Sequence, residues 1–309
     1  MKNTDETLDL EFTPIVDAIE SHLIGKRHAI TLTLASYFAG GHVLLEDIPG
    51  VGKTTLAKQF CNVLGLDFGR IQFTSDMLPS DILGVSYYSQ KEGGFILKKG
   101  PIFTQFLLAD EINRAMPKTQ SALLEAMEES SITIDGSSRP LPEPFFVIGT
   151  QNPHEEVGTF PLPHSQLDRF ICSFGIGYPD KASERSILQG VTSKPLKREK
   201  LLSHEKIIEL RQRAKDIQLS DAMLDYIQEV IAFTREGGRF EYGLSTRGAL
   251  ALTAMVKSWA MLQGRTYAIA DDLQAITGVV CAHRLKFTEG RTTTLRIENE
   301  IFTQINSDT

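Results

Sequence analysis

The sequence predicts an α/β nucleotide-binding domain followed by a small, all-helical one. Three observations carry that expectation. An apolar strand, Val43-Leu44-Leu45, runs into the glycine-bearing stretch Asp47-Ile48-Pro49-Gly50-Val51-Gly52-Lys53-Thr54-Thr55, and a helical pattern follows at once. Short apolar runs then alternate with helical patterns as far as Phe174, as in a parallel sheet built from strand–helix units. From about Asp180 helical patterns follow one another with no strong strand among them. At 309 residues the chain has room for about two domains, divided here at 1–179 and 180–309.

Taken in order, Ile15, Ile19 and Leu23, then Ile30, Leu34 and Phe38, recur at helical intervals. They predict two helices between Phe12 and Ala39, with a break at His22-Leu23-Ile24-Gly25. Gly40-Gly41 ends the second helix before the first strand. After the glycine-bearing loop, Leu56, Phe60, Val63 and Leu64 share a helical face and Gly65 supplies a stop. Residues 70–73 read as a second strand and 78–84 as a short turn-helix element. Residues 85–99 alternate around Gly93-Gly94 and predict a hairpin, which interrupts the usual strand–helix rhythm. Residues 105–109 form a third, buried strand with Asp110-Glu111 at its end. Pro117 opens a helix that buries Leu123, Leu124 and Met127. Ser131-Ile132-Thr133-Ile134 meets Asp135-Gly136, a strong hairpin turn. A fourth strand at 145–149 runs out into Thr150-Gln151-Asn152, and 171–174 is a fifth. Beyond it, 186–188, 207–214, 223–233, 249–262 and 273–285 carry apolar residues at helical spacing, and the basic stretch 194–200 reads as a solvated linker.

Composition narrows the class. No apolar run approaches the roughly 18 residues of a membrane span, and the polar opening Met1-Lys2-Asn3-Thr4-Asp5-Glu6 has no signal-peptide core behind it. The three cysteines, Cys61, Cys172 and Cys281, lack metal-site spacing and fit reduced thiols in a cytoplasmic protein. A net charge of −7 argues against general nucleic-acid binding.

A strand, a glycine turn and a helix in that order make a phosphate-binding loop. Gly50 and Gly52 let backbone N–H groups reach phosphate oxygens, Lys53 brings charge to the β- and γ-phosphates of ATP, and the Thr54 hydroxyl is placed to ligate Mg²⁺. The pattern G-x-x-x-x-G-K-[ST] asks for glycine at 47, where this chain has Asp47. Aspartate tolerates left-handed backbone angles, so the turn is expected to survive with the carboxylate pointing away from the phosphates. Asp110 follows four apolar residues, the Walker B arrangement, and is expected to hold Mg²⁺. Adjacent strand residues point opposite ways, so Glu111 is left to orient a water for attack on the γ-phosphate. Asn152 reaches the same water if its strand lies between those of the phosphate loop and Asp110. Arg247 follows Ser245, a plausible N-cap, and a cation in a helix's first turn opposes the macrodipole. That points to a partner outside the helix, such as a phosphate, with a solvated arginine as the alternative.

Together these segments resemble the MoxR family of AAA+ ATPases. The matching stretches include Leu44-Leu45-Glu46-Asp47-Ile48-Pro49-Gly50-Val51-Gly52-Lys53-Thr54, Leu108-Ala109-Asp110-Glu111-Ile112-Asn113-Arg114-Ala115, Thr150-Gln151-Asn152-Pro153 and Gln166-Leu167-Asp168-Arg169-Phe170. The resemblance spans roughly residues 12 to 290. It implies a P-loop AAA+ core with a five-stranded parallel sheet in the order 5-1-4-3-2, then a small α-helical lid. It makes 85–99 the helix-2 insert and 131–141 the pre-sensor-1 hairpin. It casts Asn152 as sensor 1, Arg247 as sensor 2 and Arg169 as the arginine finger. It further implies ATP and Mg²⁺ as ligands, a homo-oligomeric ring of hexameric type, and chaperone-like remodelling or activation of a protein client, commonly one with a von Willebrand factor A domain.

Two other classes compete. One is a nucleic-acid motor related to replicative helicases, which share the helix-2 insert. The acidic balance weighs against it, as does the 85–99 segment, where Glu92 accompanies Lys91, Lys98 and Lys99 and a basic, aromatic-bearing hairpin is not expected. The other is a scaffold that binds ATP with little turnover, for which Asp47 is the only hint.

Overall fold

The computed structural model describes residues 8–152, 158–190, 200–236, 238–289 and 294–305. Helices α1 (Thr13–Glu20) and α2 (Arg27–Ala39) precede strand β1 (His42–Glu46), and α3 (Lys53–Leu64) follows the phosphate loop. Next come β2 (Phe68–Gln72), α4 (Pro79–Leu83), and the hairpin of β3 (Gly84–Ser89) and β4 (Gly94–Lys99). Strand β5 (Phe106–Asp110) leads through a single 3-10 turn to α5 (Pro117–Glu129) and a second hairpin, β6 (Ser131–Ile134) with β7 (Ser137–Pro140). Strand β8 (Phe146–Gln151), the short α6 (His164–Leu167) and β9 (Phe170–Phe174) complete the α/β part. The helical part contains α7 (Lys181–Leu188), α8 (His204–Asp216), α9 (Asp221–Arg235), α10 (Thr246–Leu262), α11 (Ala270–Cys281) and α12 (Thr294–Ile305).

The central sheet has five strands in the order β2-β5-β8-β1-β9, every neighbouring pair parallel. Counted along the chain this is 2-3-4-1-5, the expected order from the other edge. Strand β8 therefore lies between β1 and β5, and the three carboxyl ends that carry the phosphate loop, Asp110 and Asn152 stand side by side. Strands β5, β8 and β9 are buried almost throughout because helices cover both faces, which is why they read as unbroken apolar runs. Leu44, Leu107 and Val147 on one face join a core with Leu123 and Leu124 of α5.

The opposite face meets α2, a helix buried from Ala29 to Phe38. Three of its interior residues carry aliphatic hydroxyls, and each of these three is satisfied within the helix. Thr31, Thr33 and Ser36 donate to carbonyls four residues back at 2.9, 2.8 and 2.7 Å. Such a helix can be surrounded on all sides, and α8 and α10 of the helical part pack against it. Ser258 of α10 donates to the Ala35 carbonyl at 2.7 Å. One apolar cluster consequently runs from Phe12 to Ile301 and spans both parts.

Several elements differ from expectation: the sequence pattern does not predict the short α6, and α11 stops at Cys281 rather than Leu285. The second strand starts earlier, at Phe68. The final helix, α12, was not anticipated; its Ile297 and Ile301 are fully buried. Of the basic stretch 194–200, only Lys200 lies among the described residues, its N–H bonded to the Asn62 carbonyl at 3.3 Å. Cys61, Cys172 and Cys281 are buried and none of them forms a disulfide among the described residues. No helix among the described residues is long and apolar enough to cross a membrane.

Candidate nucleotide-binding site

The phosphate loop takes left-handed backbone at two residues, Gly50 (φ 86°) and Gly52 (φ 103°), both places where a Cβ would be strained. Position 47 makes no such demand. Asp47 is absent from the described non-glycine residues of positive φ, and its N–H continues the β1–β8 ladder to the Gln151 carbonyl at 3.2 Å. The sequence's departure from the loop pattern thus costs no backbone strain. The Asp47 carboxylate turns away from the loop's open side, as expected: Oδ1 accepts from Ile48 N–H at 2.8 Å and Oδ2 from Gly177 N–H at 2.6 Å. Lys53 Nζ donates to the Asp47 carbonyl at 2.5 Å.

In front of the loop lies a cleft of about 350 Å³, within the range of small-ligand sites. Pro49, Gly50, Gly52, Lys53, Thr54 and Thr55 line it from the loop. Of the other loop residues expected there, Val51 is buried and Ile48 packs against the core. Asp110 and Glu111 enter from β5, Thr150 and Asn152 from β8. The adjacency required of Asn152 is therefore met.

The two acidic residues are not separated by strand alternation. Asp110 is the last residue of β5, whereas Glu111 has left the strand and sits at φ 55° before the 3-10 turn. That left-handed backbone costs on the order of 1–2 kcal/mol in a non-glycine residue, and both acidic residues line one cleft. It is held in place by Thr150, whose Oγ1 accepts from Glu111 N–H at 2.9 Å and donates to Asp110 Oδ1 at 3.1 Å. Backbone strain maintained by surrounding contacts is a mark of functional sites.

Arg70 and Gln72 of β2 also line the cleft and were not anticipated. Arg70 Nε donates to Asp110 Oδ2 at 2.8 Å. The register explains the meeting: Gln72 pairs with Asp110 and Arg70 with Leu108, so the arginine lies two residues back on the neighbouring strand. Arg114 Nη1 leans on Glu111 Oε2 at 3.2 Å.

Arg169 and Arg247 lie elsewhere. Neither lines the cleft, and both pair with Glu128 near the end of α5: Arg169 Nη2 with Oε2 at 3.0 Å, and Arg247 Nη2 with Oε1. Ser245 caps α10 as expected, accepting from Gly248 N–H at 2.9 Å. The outside partner of Arg247 is thus a carboxylate of the α/β part. Asp168, beside Arg169, is engaged by Arg284 at 2.7 Å and by the Ser245 hydroxyl at 2.7 Å.

The β3–β4 hairpin differs from its sequence expectation. Val85, Tyr87, Tyr88 and Phe95 are each at least half exposed, Tyr88 and Phe95 meeting edge-on at 5.6 Å. Lys91, Lys98 and Lys99 are exposed on the same ribbon. It is an aromatic-bearing, basic hairpin after all.

Comparison with known proteins bears on this site. The family model described as "ATPase family associated with various cellular activities (AAA)" matches residues 42–172, and that of the AAA lid domain matches 232–304. The protein YeaC of Bacillus subtilis (strain 168), uncharacterized, is 44% identical over 272 residues, 87% of this chain and 85% of that one. Chaperone MoxR1 of Mycobacterium tuberculosis is 38% identical over 275 residues, covering 86% and 73% of the two chains. The chain belongs to the MoxR family of AAA+ ATPases. A solved structure from Cytophaga hutchinsonii superposes with a TM-score of 0.86 at 36% identity, over 94% of this chain and 93% of that one.

The donor set of this MoxR-family chain fits a nucleotide with Mg²⁺. The open side of the loop has room for phosphates, since a Cβ added to Gly50 would meet nothing within 4 Å. Lys53 brings a cation to the lining, and Thr54 and Asp110 bring the hydroxyl and carboxylate that would suit Mg²⁺.

Proposed function

We propose that the protein hydrolyses ATP as part of a homo-oligomeric ring, of hexameric type, and uses the cycle to remodel or activate a protein partner in the cytoplasm. A von Willebrand factor A domain protein is the expected class of client. One observation carries the hydrolytic reading: Glu111, held in strained backbone by Thr150, lines the same cleft as Lys53, Thr54 and Asp110. In this mechanism Lys53 leaves the Asp47 carbonyl for the β- and γ-phosphates. Thr54 and Asp110 would hold Mg²⁺, which when bound would supply positive charge at the phosphate oxygens. Asn152 and Glu111 orient the attacking water, and Glu111 takes its proton. Arg169, outside its own cleft, completes the site of the neighbouring subunit.

Glu111→Gln is expected to bind ATP normally and to hydrolyse it about 10²–10⁴-fold more slowly, because glutamine keeps the shape and loses the base. Single-turnover hydrolysis beside a binding titration checks this, and normal turnover would make Glu111 structural. The same ATP-locked variant is the bait for capturing the client.

The exposed hairpin supports a second reading, a nucleic-acid-dependent motor, because aromatics beside lysines can stack on bases while binding the backbone. Stimulation of ATPase activity by single-stranded DNA would favour it. No stimulation leaves the hairpin to a protein client.

A further inference from the structure

Three segments meet behind the phosphate loop: residues 21–26 between α1 and α2, the loop itself, and residues 175–180, which leave β9 and lead into α7. The loop rests on the first segment, so closely that a Cβ on Gly52 would lie 2.6 Å from Leu23 Cδ1. It is fastened to the third through Asp47, whose Oδ2 accepts from Gly177 N–H at 2.6 Å. Gly175 passes equally close, since a Cβ there would lie 3.2 Å from the same carboxylate oxygen. Lys26, 9% exposed, donates to the Tyr178 carbonyl at 2.6 Å. Burial lowers its pKa, and the charges of Asp47 and Asp180 act in the opposite direction. Asp180 in turn caps α7, accepting from Ser183 N–H at 2.7 Å. Hydrogen bonds therefore lead from Lys53, on the Asp47 carbonyl, through Asp47 to Gly177, and the linker carrying Gly177 is held by Lys26 at Tyr178 and runs into the first helix of the lid at Asp180.

We propose that Asp47 and Lys26 are positioning residues that tie the phosphate loop to the lid linker, so that phosphates entering the loop are reported to α7. The proposal rests on the ATP-site reading given above. Its physical basis is that Lys53 and Gly177 hold the same residue from opposite sides. Phosphates draw Lys53 off the Asp47 carbonyl, while the side chain of that residue holds Gly177. A glycine at 47 would keep the loop's backbone and lose the grip on the linker. The charge at 47 is tolerated because two backbone amides, those of Ile48 and Gly177, donate to it.

The test is hydrogen–deuterium exchange of the whole protein, with and without ATP, read in peptides covering 175–188, beside titration with a fluorescent ATP analogue. Wild type should bind the analogue and show slowed exchange in this segment on ATP addition. In Asp47→Gly and in Lys26→Met, the ATP-dependent change should shrink by about threefold or more, the scale of one lost hydrogen bond. Asp47→Asn keeps an acceptor for Gly177 N–H and should retain most of the response. A structural role alone would not separate the ATP-dependent change from the ATP-free baseline. An equal ATP response in Asp47→Gly, or none in wild type that binds the analogue, overturns the proposal. Failure of wild type to bind the analogue overturns the ATP-site reading first and this inference with it. If Asp47→Gly does not fold, Lys26→Met, with its loop sequence intact, decides the matter alone.

Discussion

The cleft and the outer edge of the molecule both set arginine against a carboxylate, and they do so differently. In the cleft, Arg70 meets Asp110 across neighbouring strands of one sheet. The charged groups of the lining are two cations, Lys53 and Arg70, and two carboxylates, Asp110 and Glu111. At the edge, Arg169 from the α/β part and Arg247 from the helical part share one carboxylate, Glu128. The lining of the cleft is balanced before any ligand arrives. The edge retains one positive charge and has its arginines delivered by two different domains. A balanced pocket suits a ligand that brings its own cation, as ATP does with Mg²⁺. An unbalanced edge suits an anion that arrives from outside the subunit.

The largest expected effect tests that contrast directly. If the edge serves a neighbouring subunit, Arg169→Ala should lower the ATPase rate by about 10³–10⁵, the range for arginine fingers, while leaving ATP affinity of the isolated subunit unchanged. Mixing Arg169→Ala with Lys53→Ala, each inactive alone, should restore part of the activity. The first variant keeps a working phosphate loop and borrows the arginine of the second. If the subunits exchange and no activity returns, Arg169 acts within its own chain or only secures Glu128.

Lys53→Ala probes the other side of the comparison. Removing one partner of a close charge pair costs about 2–5 kcal/mol, so affinity for a fluorescent ATP analogue should fall thirtyfold or more. The fold should survive, because Lys53 opens α3 at the mouth of the cleft and its neighbours Leu56 and Phe60 hold that helix in the core. Unchanged affinity would remove the phosphate loop from the site.

The two regions were also unequally legible in the sequence. The cleft could be read because its parts are local: a loop of fixed spacing, an acidic pair after an apolar run, an asparagine after another. Strand order then brings them together, and that order followed from the family resemblance. What escaped were the features that depend on register and backbone angle. Arg70 reads as a lone cation on an edge strand until Gln72 is aligned with Asp110. Nothing in Asp110-Glu111 announces the left-handed turn at Glu111, which overrides strand alternation. Position 47 misled in the opposite direction, since a glycine pattern implied a backbone demand that the loop does not make there. At the edge, Glu128 looks like any charged residue near a helix end, and the packing of the lid against the α/β part decides which arginines reach it. The last helix was a different kind of miss. Ile297, Ile301 and Ile305 recur every four residues, so its signal was present.

The smallest effect concerns Glu128 itself. Its pairs are partly exposed, with 35% of the Glu128 side chain, 27% of Arg169 and 46% of Arg247 open to solvent. Pairs of that kind contribute about 0.2–1 kcal/mol each, so Glu128→Gln should lower the melting temperature only slightly. Its effect on turnover separates two meanings of the edge. If Glu128 aims both guanidinium groups at an incoming phosphate, losing its charge loosens them, and the ATPase rate should fall by about three- to tenfold, as a difference of about 1 kcal/mol would give. If Glu128 instead competes with the phosphate for the arginines, the same substitution should raise the rate. We expect the fall, because one carboxylate paired with both arginines fixes the distance between them. A raised rate would make the edge a self-occupied site that opens only when a neighbour arrives.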